Sequence, residues 1–217
     1  MATQLKTKCL VLLSGGLDSA VALYWSIKKK YEVETLTFDY FRRSKKEIEA
    51  CIEISKFTNS KNRRVNLGFL KEVDDSRKET NNSALLDAES AYIPSRNLIF
   101  YGIAASFAEI GNDKYIVGGH NKNDGETFPD SSKEFFQLFN ETATLGRVTG
   151  NRTGRVILPF ANLDKSEVLK LGAKLKVPFE LTWSCYTSSK KPCGKCLSCK
   201  LRAESFEKAG LVDPLLR

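Results

Sequence analysis

Histidine is nearly absent: among 217 residues there is one, His120, and methionine also occurs once. A single histidine excludes mechanisms that need two, including histidine-rich metal sites and the paired-histidine zinc helix. Any transition-metal centre must then rest on sulfur. Long apolar runs are missing too, since stretches such as 9–13 and 99–105 fall far short of the roughly 20 residues of a membrane span. With no signal-peptide pattern at the N-terminus, the expectation is a soluble cytoplasmic protein with no membrane partner. The composition, 41% hydrophobic and 28% charged, is that of a folded chain rather than a disordered one. Its length suits one large domain with a small appendage.

The cysteines and the charge are both unevenly placed. Cys9 and Cys51 stand alone, whereas Cys185, Cys193, Cys196 and Cys199 fall within fifteen residues. Crowding of that kind in a chain without a secretion signal favours metal over a disulfide framework. Of the net charge of +8, residues 150–217 supply +7, from 13 Lys+Arg against 6 Asp+Glu. A basic surface attracts nucleic acid or an anionic substrate. The lysines are scattered and have few aromatics among them, so a solvated surface explains them equally well and nucleic acid is not the expected partner.

Hydrophobic periodicity predicts strands at 9–13, 33–38, 64–67, 115–117 and 156–158. Helices are expected at 17–27, at 95–110 with Ser95 as cap, and at 197–209 before Gly210. Capping boxes at Ser44/Glu47, Ser131/Glu134 and Asp164/Glu167 open three more. Residues 73–90 are polar and read as an irregular excursion. Strands alternating with helices predict an α/β fold with a doubly wound parallel sheet. The last boundary falls near Thr182, separating 1–181 from 182–217.

Between the first strand and its helix stand Leu13, Ser14, Gly15, Gly16, Leu17, Asp18 and Ser19. Glycines there let successive N–H groups point into one concavity, and the helix N-terminus adds its positive dipole end, giving an anion nest. Ser14 and Ser19 add hydroxyl donors. Asp18 repels phosphate unless a divalent cation lies between, which assigns it to Mg2+ contact or to loop geometry. The Walker and dinucleotide patterns both fail. The segment resembles the signature of the PP-loop ATP pyrophosphatases (adenine nucleotide α-hydrolase-like), which cleave ATP between its α and β phosphates to form adenylates.

In the tail, Cys193 and Cys196 have knuckle spacing, Gly194 relieves the tight backbone between them, Cys199 sits one turn on, and Cys185 completes four thiolates. A closed sulfur set favours structural Zn2+. An iron–sulfur cluster and a redox or persulfide-carrying Cys193/Cys196 pair are the competing readings. Cys9 and Cys51 are expected to pack.

Taken in order, the glycine loop, Phe38-Asp39-Tyr40, Ile93 to Asn97, Gly118 to Asp130, Lys165-Ser166-Glu167, Thr182 to Tyr186 and the knuckle resemble the 7-cyano-7-deazaguanine synthases over nearly the whole chain. The resemblance implies a homodimeric ligase that converts 7-carboxy-7-deazaguanine, ammonia and ATP to the nitrile through adenylate and amide intermediates. It implies an ATP-binding stretch of Leu12, Leu13, Ser14, Gly15, Gly16, Leu17, Asp18, Ser19, Ala20, Val21 and Ala22, with Asp18 and Ser19 catalytic and Mg2+ on the nucleotide. Substrate candidates are Arg43, Arg96, Asn97, Asn121, Asp124, Phe128 and Asp130. Of these, Asp130 is expected to pair with the guanine-like edge and Phe128 to stack on the ring. The chain departs from the family at Phe41 to Ser44, where only Arg43 is kept, at Ser131-Ser132, and at His120. Those departures leave room for a relative that transfers an adenylated deazaguanine to another amine, on a protein acceptor for example, or for a PP-loop enzyme acting on tRNA.

Overall fold

Strand β1 (Lys8–Leu12) divides its side chains with the strand period: Cys9 and Val11, followed by Leu13, enter one apolar layer, while Leu10 and Leu12 enter the other. Burial on both faces is what a continuous apolar run requires. The chain continues through α1 (Leu17–Lys28), β2 (Glu32–Asp39), α2 (Lys45–Phe57), β3 (Lys61–Asn66), α3 (Leu70–Lys78), α4 (Ser83–Leu86) and α5 (Arg96–Gly111). Then come β4 (Tyr115–Val117), α6 (Lys122–Thr127), α7 (Lys133–Leu145), β5 (Arg155–Ile157), α8 (Lys165–Lys174) and α9 (Leu197–Ala209). The computed structural model describes residues 6–88, 92–187 and 190–216.

The sheet is parallel throughout, in the order β3-β2-β1-β4-β5. This is the expected doubly wound architecture. Chain direction across the sheet reverses between β1 and β4, and the crevice at their carboxyl ends is where such sheets bind ligands. α1, α2, α8 and α9 supply one apolar layer, including Leu17, Ile54, Leu169 and Phe206. α3, α5 and α7 supply the other, with Leu70, Tyr101 and Phe136. The cysteine-rich tail is anchored by Arg202, buried and bonded to both Asp213 carboxylate oxygens at 2.7 and 2.9 Å and to the Thr182 hydroxyl at 2.9 Å.

Several expectations needed correction. Residues 73–78 and 83–86 are helical rather than irregular, in α3 and α4, with 79–82 irregular between them; residues 89–91 lie outside the described ones. α3 has few apolar positions and is held by ion pairs: Asp74 is buried against Lys78 at 2.7 Å and against Arg42, and Lys71 pairs with Asp75 at 2.5 Å. β3 starts at Lys61 rather than 64, since the register comes from parallel pairing with β2 and not from apolar alternation. β5 begins one residue earlier than expected, at Arg155. Ser95 does precede α5, but in a left-handed conformation with no side-chain cap. The box at Ser131/Glu134 slips by one: Ser131 closes a 3-10 turn, and Ser132 caps α7 by accepting from the Phe135 N–H at 3.1 Å.

Candidate functional site

The glycine loop sits at the end of β1, pressed against α2. Gly15 has φ +78°, and a Cβ on it would lie 2.5 Å from the Glu47 carbonyl, so both backbone and space demand glycine. Ser14 Oγ donates to Ser19 Oγ at 3.0 Å, and Ser19 Oγ lies 3.1 Å from the Gly16 carbonyl. α1 begins without a side-chain cap, which leaves its first-turn N–H groups open to an anion. Arg43 braces the loop: its guanidinium donates to the Ser14 carbonyl and meets Glu47 at 3.5 Å. Beside it the Cys51 thiol donates to the Leu13 carbonyl at 3.3 Å, and burial pushes that thiol's pKa up. Leu17, Ala20, Val21 and Ala22 are buried in the core. They carry the loop rather than line the crevice.

Opposite the loop, residues after β4 approach so closely that a Cβ on Gly119 would fall 2.9 Å from the Asp18 carbonyl carbon. Asn121 and Asp124 form a capping box on α6, with reciprocal bonds of 3.1 and 3.2 Å. The Asn121 amide also reaches Asp18 Oδ1 at 3.5 Å, while Lys165, at the first turn of α8, meets Asp18 Oδ2 at 3.3 Å. Asp18 draws the Lys165 pKa up. Burial, followed by the charge of Asp18, raises that of Asp124. His120 packs between Tyr101 and Phe136, with ring centroids 5.8 and 5.4 Å away. Burial, reinforced by the Arg96 charge, holds its imidazole down at about 4, so it is neutral.

Two cavities adjoin here. The inner one, about 270 Å³, is bounded by Ser14, Asp18, Ser19, Phe38, Phe100 and His120. The outer one, about 930 Å³, is bounded by Lys165, Tyr186, Leu197 and Leu201. Tyr40, Arg43, Arg96, Asp124 and Phe128 line both. Phe38 stacks on Phe100 at 4.3 Å, and Tyr40 meets the same ring edge-on at 5.6 Å, giving an aromatic wall. Arg96 makes no ion pair among the described residues, and its guanidinium lies 6.0 Å from the Phe100 ring centroid.

Asn97 lines the inner cavity as a site candidate should, whereas Asp130 is placed differently from the expectation. The Asp130 carboxylate accepts from the Asn97 backbone N–H at 3.0 Å, supplying the cap that Ser95 does not. The Asn97 amide is bonded to the Asp130 carbonyl and to Ser131 Oγ, at 3.0 and 2.9 Å. Both residues pin the 129–131 turn to α5, and Asp130 lines neither cavity. Conversely, Lys165, Tyr40, Phe100 and Tyr186 border the cavities without having been singled out as site residues. Lys165, Tyr40 and Tyr186 stand in motifs that carry the family resemblance, but a motif by itself gives none of them a role, and nothing in an aromatic side chain's sequence context tells a cavity wall from a core.

The four cysteine sulfurs lie within 4.8 Å of one another, with Cys193 and Cys199 4.0 Å apart. Zinc–sulfur bonds of about 2.3 Å put tetrahedral sulfurs about 3.8 Å apart, so the donor set fits a metal ion with small closing shifts. Backbone N–H groups of Cys193 and Cys196 point at Cys185 Sγ and Cys193 Sγ at 3.4 Å. Burial pushes the Cys185 thiol up, but hydrogen bonds from Thr187 and Cys193 outweigh it and bring it to about 6. Gly194 supplies the left-handed residue at φ +68°. Trp183 ties the knuckle to the glycine loop: its N–H donates to the Gly15 carbonyl at 2.8 Å and its indole N–H to the Cys185 carbonyl at 2.8 Å.

Comparison with known proteins places this geometry. Residues 8–210 match the model of the queuosine biosynthesis protein QueC family. A 7-cyano-7-deazaguanine synthase of Picrophilus torridus is 41% identical, the match covering 96% of this chain and 91% of that one. One from Acetivibrio thermocellus is 35% identical, with 96% of each covered. Among solved structures, NMN synthetase from Francisella tularensis superposes with a TM-score of 0.55 at 16% identity, covering 94% of this chain and 84% of that one. A 4-thiouridine synthetase in complex with RNA and ATP gives 0.55 at 20% identity, over 94% and 50%. The structural likenesses speak for the fold alone, which is of the PP-loop type.

Proposed function

The chain belongs to the QueC family of queuosine biosynthesis proteins, and on that premise we propose that it makes 7-cyano-7-deazaguanine from 7-carboxy-7-deazaguanine, ammonia and ATP. One observation carries the reading: the glycine-loop cavity and a larger second cavity share a wall at Arg96 and Asp124, as an adenylating enzyme with an acceptor requires. A carboxylate oxygen of the acid attacks the α-phosphate as the bond to the β-phosphate breaks and pyrophosphate leaves. Ammonia adds to the acyl carbon, loses a proton, and AMP departs with the former carboxylate oxygen, leaving the amide. A second ATP takes the amide oxygen in the same way. Loss of AMP and two N–H protons leaves the nitrile.

The chain's share is positioning and charge neutralisation. First-turn N–H groups of α1 and the hydroxyls of Ser14 and Ser19 hold the departing pyrophosphate, and Arg43 keeps their loop in shape. Asp18 would hold Mg2+, which neutralises phosphate charge. Arg96 faces the acceptor carboxylate, and Lys165 balances Asp18. The four cysteines hold structural Zn2+, since a closed sulfur set leaves no open coordination position. Residues 1–181 act as the ATP-binding domain on which 182–217 packs, and the enzyme works as a cytoplasmic homodimer.

Incubation of purified protein with the acid, ammonium and ATP, followed by mass spectrometry, tests the reading. Amide and nitrile should appear together with AMP; a protein that releases no AMP in the presence of the acid overturns it. Cys196→Ser should lose metal and melt at lower temperature, because metal binding in such a site is folding energy. Unchanged metal content in that variant removes Cys196 from the ligand set.

A further inference from the structure

The geometry points to the outer cavity as the acceptor chamber and to Tyr186, carried there by the cysteine knuckle, as the aromatic surface on which the deazaguanine ring lies. This rests on the function proposed above and adds to it the place of the second substrate and a binding residue outside the PP-loop core.

The inner cavity contains the loop hydroxyls and the ends of β1 and β2, so ATP occupies that side. An acceptor attacking the α-phosphate must then enter from the residues common to both cavities. Arg96 is one of these, and its guanidinium is free of ion pairs among the described residues. It can therefore receive the acid's carboxylate at the junction. The remainder of the acceptor, a flat fused heterocycle, extends into the outer cavity.

That cavity has the surface such a ring needs. Tyr186, Leu197 and Leu201 line it, yet all three are exposed, Tyr186 to 57%. The rest of that lining is mostly charged or polar, Glu47, Asp124, Lys165 and Glu204 among it, so these exposed side chains form an apolar patch within a polar chamber, and a flat ring with a polar edge can lie on such a patch. The backbone leading into Tyr186 is also held. The residue before it, Cys185, is buried in the sulfur cluster. Trp183 bonds to the Cys185 carbonyl and to the Gly15 carbonyl, each at 2.8 Å. The knuckle thereby fixes the Tyr186 backbone relative to the glycine loop. Ring and phosphate sites are then registered to each other through one short segment, and the metal site serves substrate placement as well as stability.

Tyr186→Ala and Tyr186→Phe, compared with the unaltered protein, test this by calorimetric titration with 7-carboxy-7-deazaguanine, separate titration with ATP, and metal analysis. Loss of a stacking aromatic should weaken binding of the acid by about tenfold, with the phenylalanine variant retaining affinity. ATP affinity and metal content should stay unchanged in both. If the unaltered protein binds the acid and Tyr186→Ala binds it equally well, the placement is overturned while the proposed function stands. If Tyr186→Ala loses metal or ATP binding in parallel, its role is structural and the placement is again overturned. If the unaltered protein neither binds nor converts the acid, both fall.

Discussion

At the residue scale, the cleft turns on Asp18, whose carboxylate meets Lys165 at 3.3 Å and Asn121 at 3.5 Å. Asp18→Ala should lower turnover by at least about a hundredfold, as loss of one preorganised charge does, with little change in melting temperature. Steady-state kinetics and a thermal melt check this, and an unfolded variant would contradict the nucleotide role. His120 makes a different prediction. Its folded pKa of about 4 lies below the roughly 6.5 of an unfolded histidine. As pH falls the unfolded chain binds the proton first, so stability is lost between those two values and is level below them. Across that window the loss is at most about 3 kcal/mol, and His120→Asn should remove it. Urea melts near neutrality and near the folded pKa, compared between the two proteins, read the slope. The sequence marked Asp18 because an acidic residue inside an anion nest is chemically odd. It could not mark His120 as neutral, since that depends on Tyr101, Phe136 and Arg96, which tertiary folding brings to it.

At the scale of elements, what could be read early was what is local. The capping boxes at Ser44/Glu47 and Asp164/Glu167 formed as expected, because a cap involves one turn of chain. The one at Ser131 slipped because Asn97, 34 residues away, takes the Ser131 hydroxyl. α3 was missed for a related reason, since its buried Asp74 is satisfied partly by Arg42, 32 residues distant. Glycine placement followed the loop's geometry. Gly15→Ala would combine a left-handed backbone with a Cβ 2.5 Å from the Glu47 carbonyl. The strain should cost about 1–3 kcal/mol and push the loop off α2, so ATP affinity should fall along with stability. A melt and a nucleotide titration together check it; a variant that binds ATP normally would show the loop to be adaptable.

On the scale of the whole molecule, the C-terminal segment is bound into the fold by Arg202 and Asp213, both buried. Arg202→Met leaves the Asp213 carboxylate buried without its partner, at a cost of about 3–5 kcal/mol. That corresponds to a fall of roughly 10 °C in melting temperature for a chain of this size, and it should be accompanied by weaker metal retention. Calorimetry and metal analysis measure both. The sequence by itself determined the doubly wound α/β class, the glycine loop and the four-cysteine cluster, because each is written in neighbouring residues: an apolar run, a turn, a cysteine spacing. It also determined the family, through motifs kept in order. Only the tertiary structure decided that Asp130 caps a helix instead of lining a cavity, that Arg43 braces the loop through the Ser14 carbonyl, and that Lys165, Tyr40 and Tyr186 border the site. Those roles arise from side chains far apart in sequence meeting at the carboxyl ends of β1 and β4, and spacing along a chain does not encode such meetings.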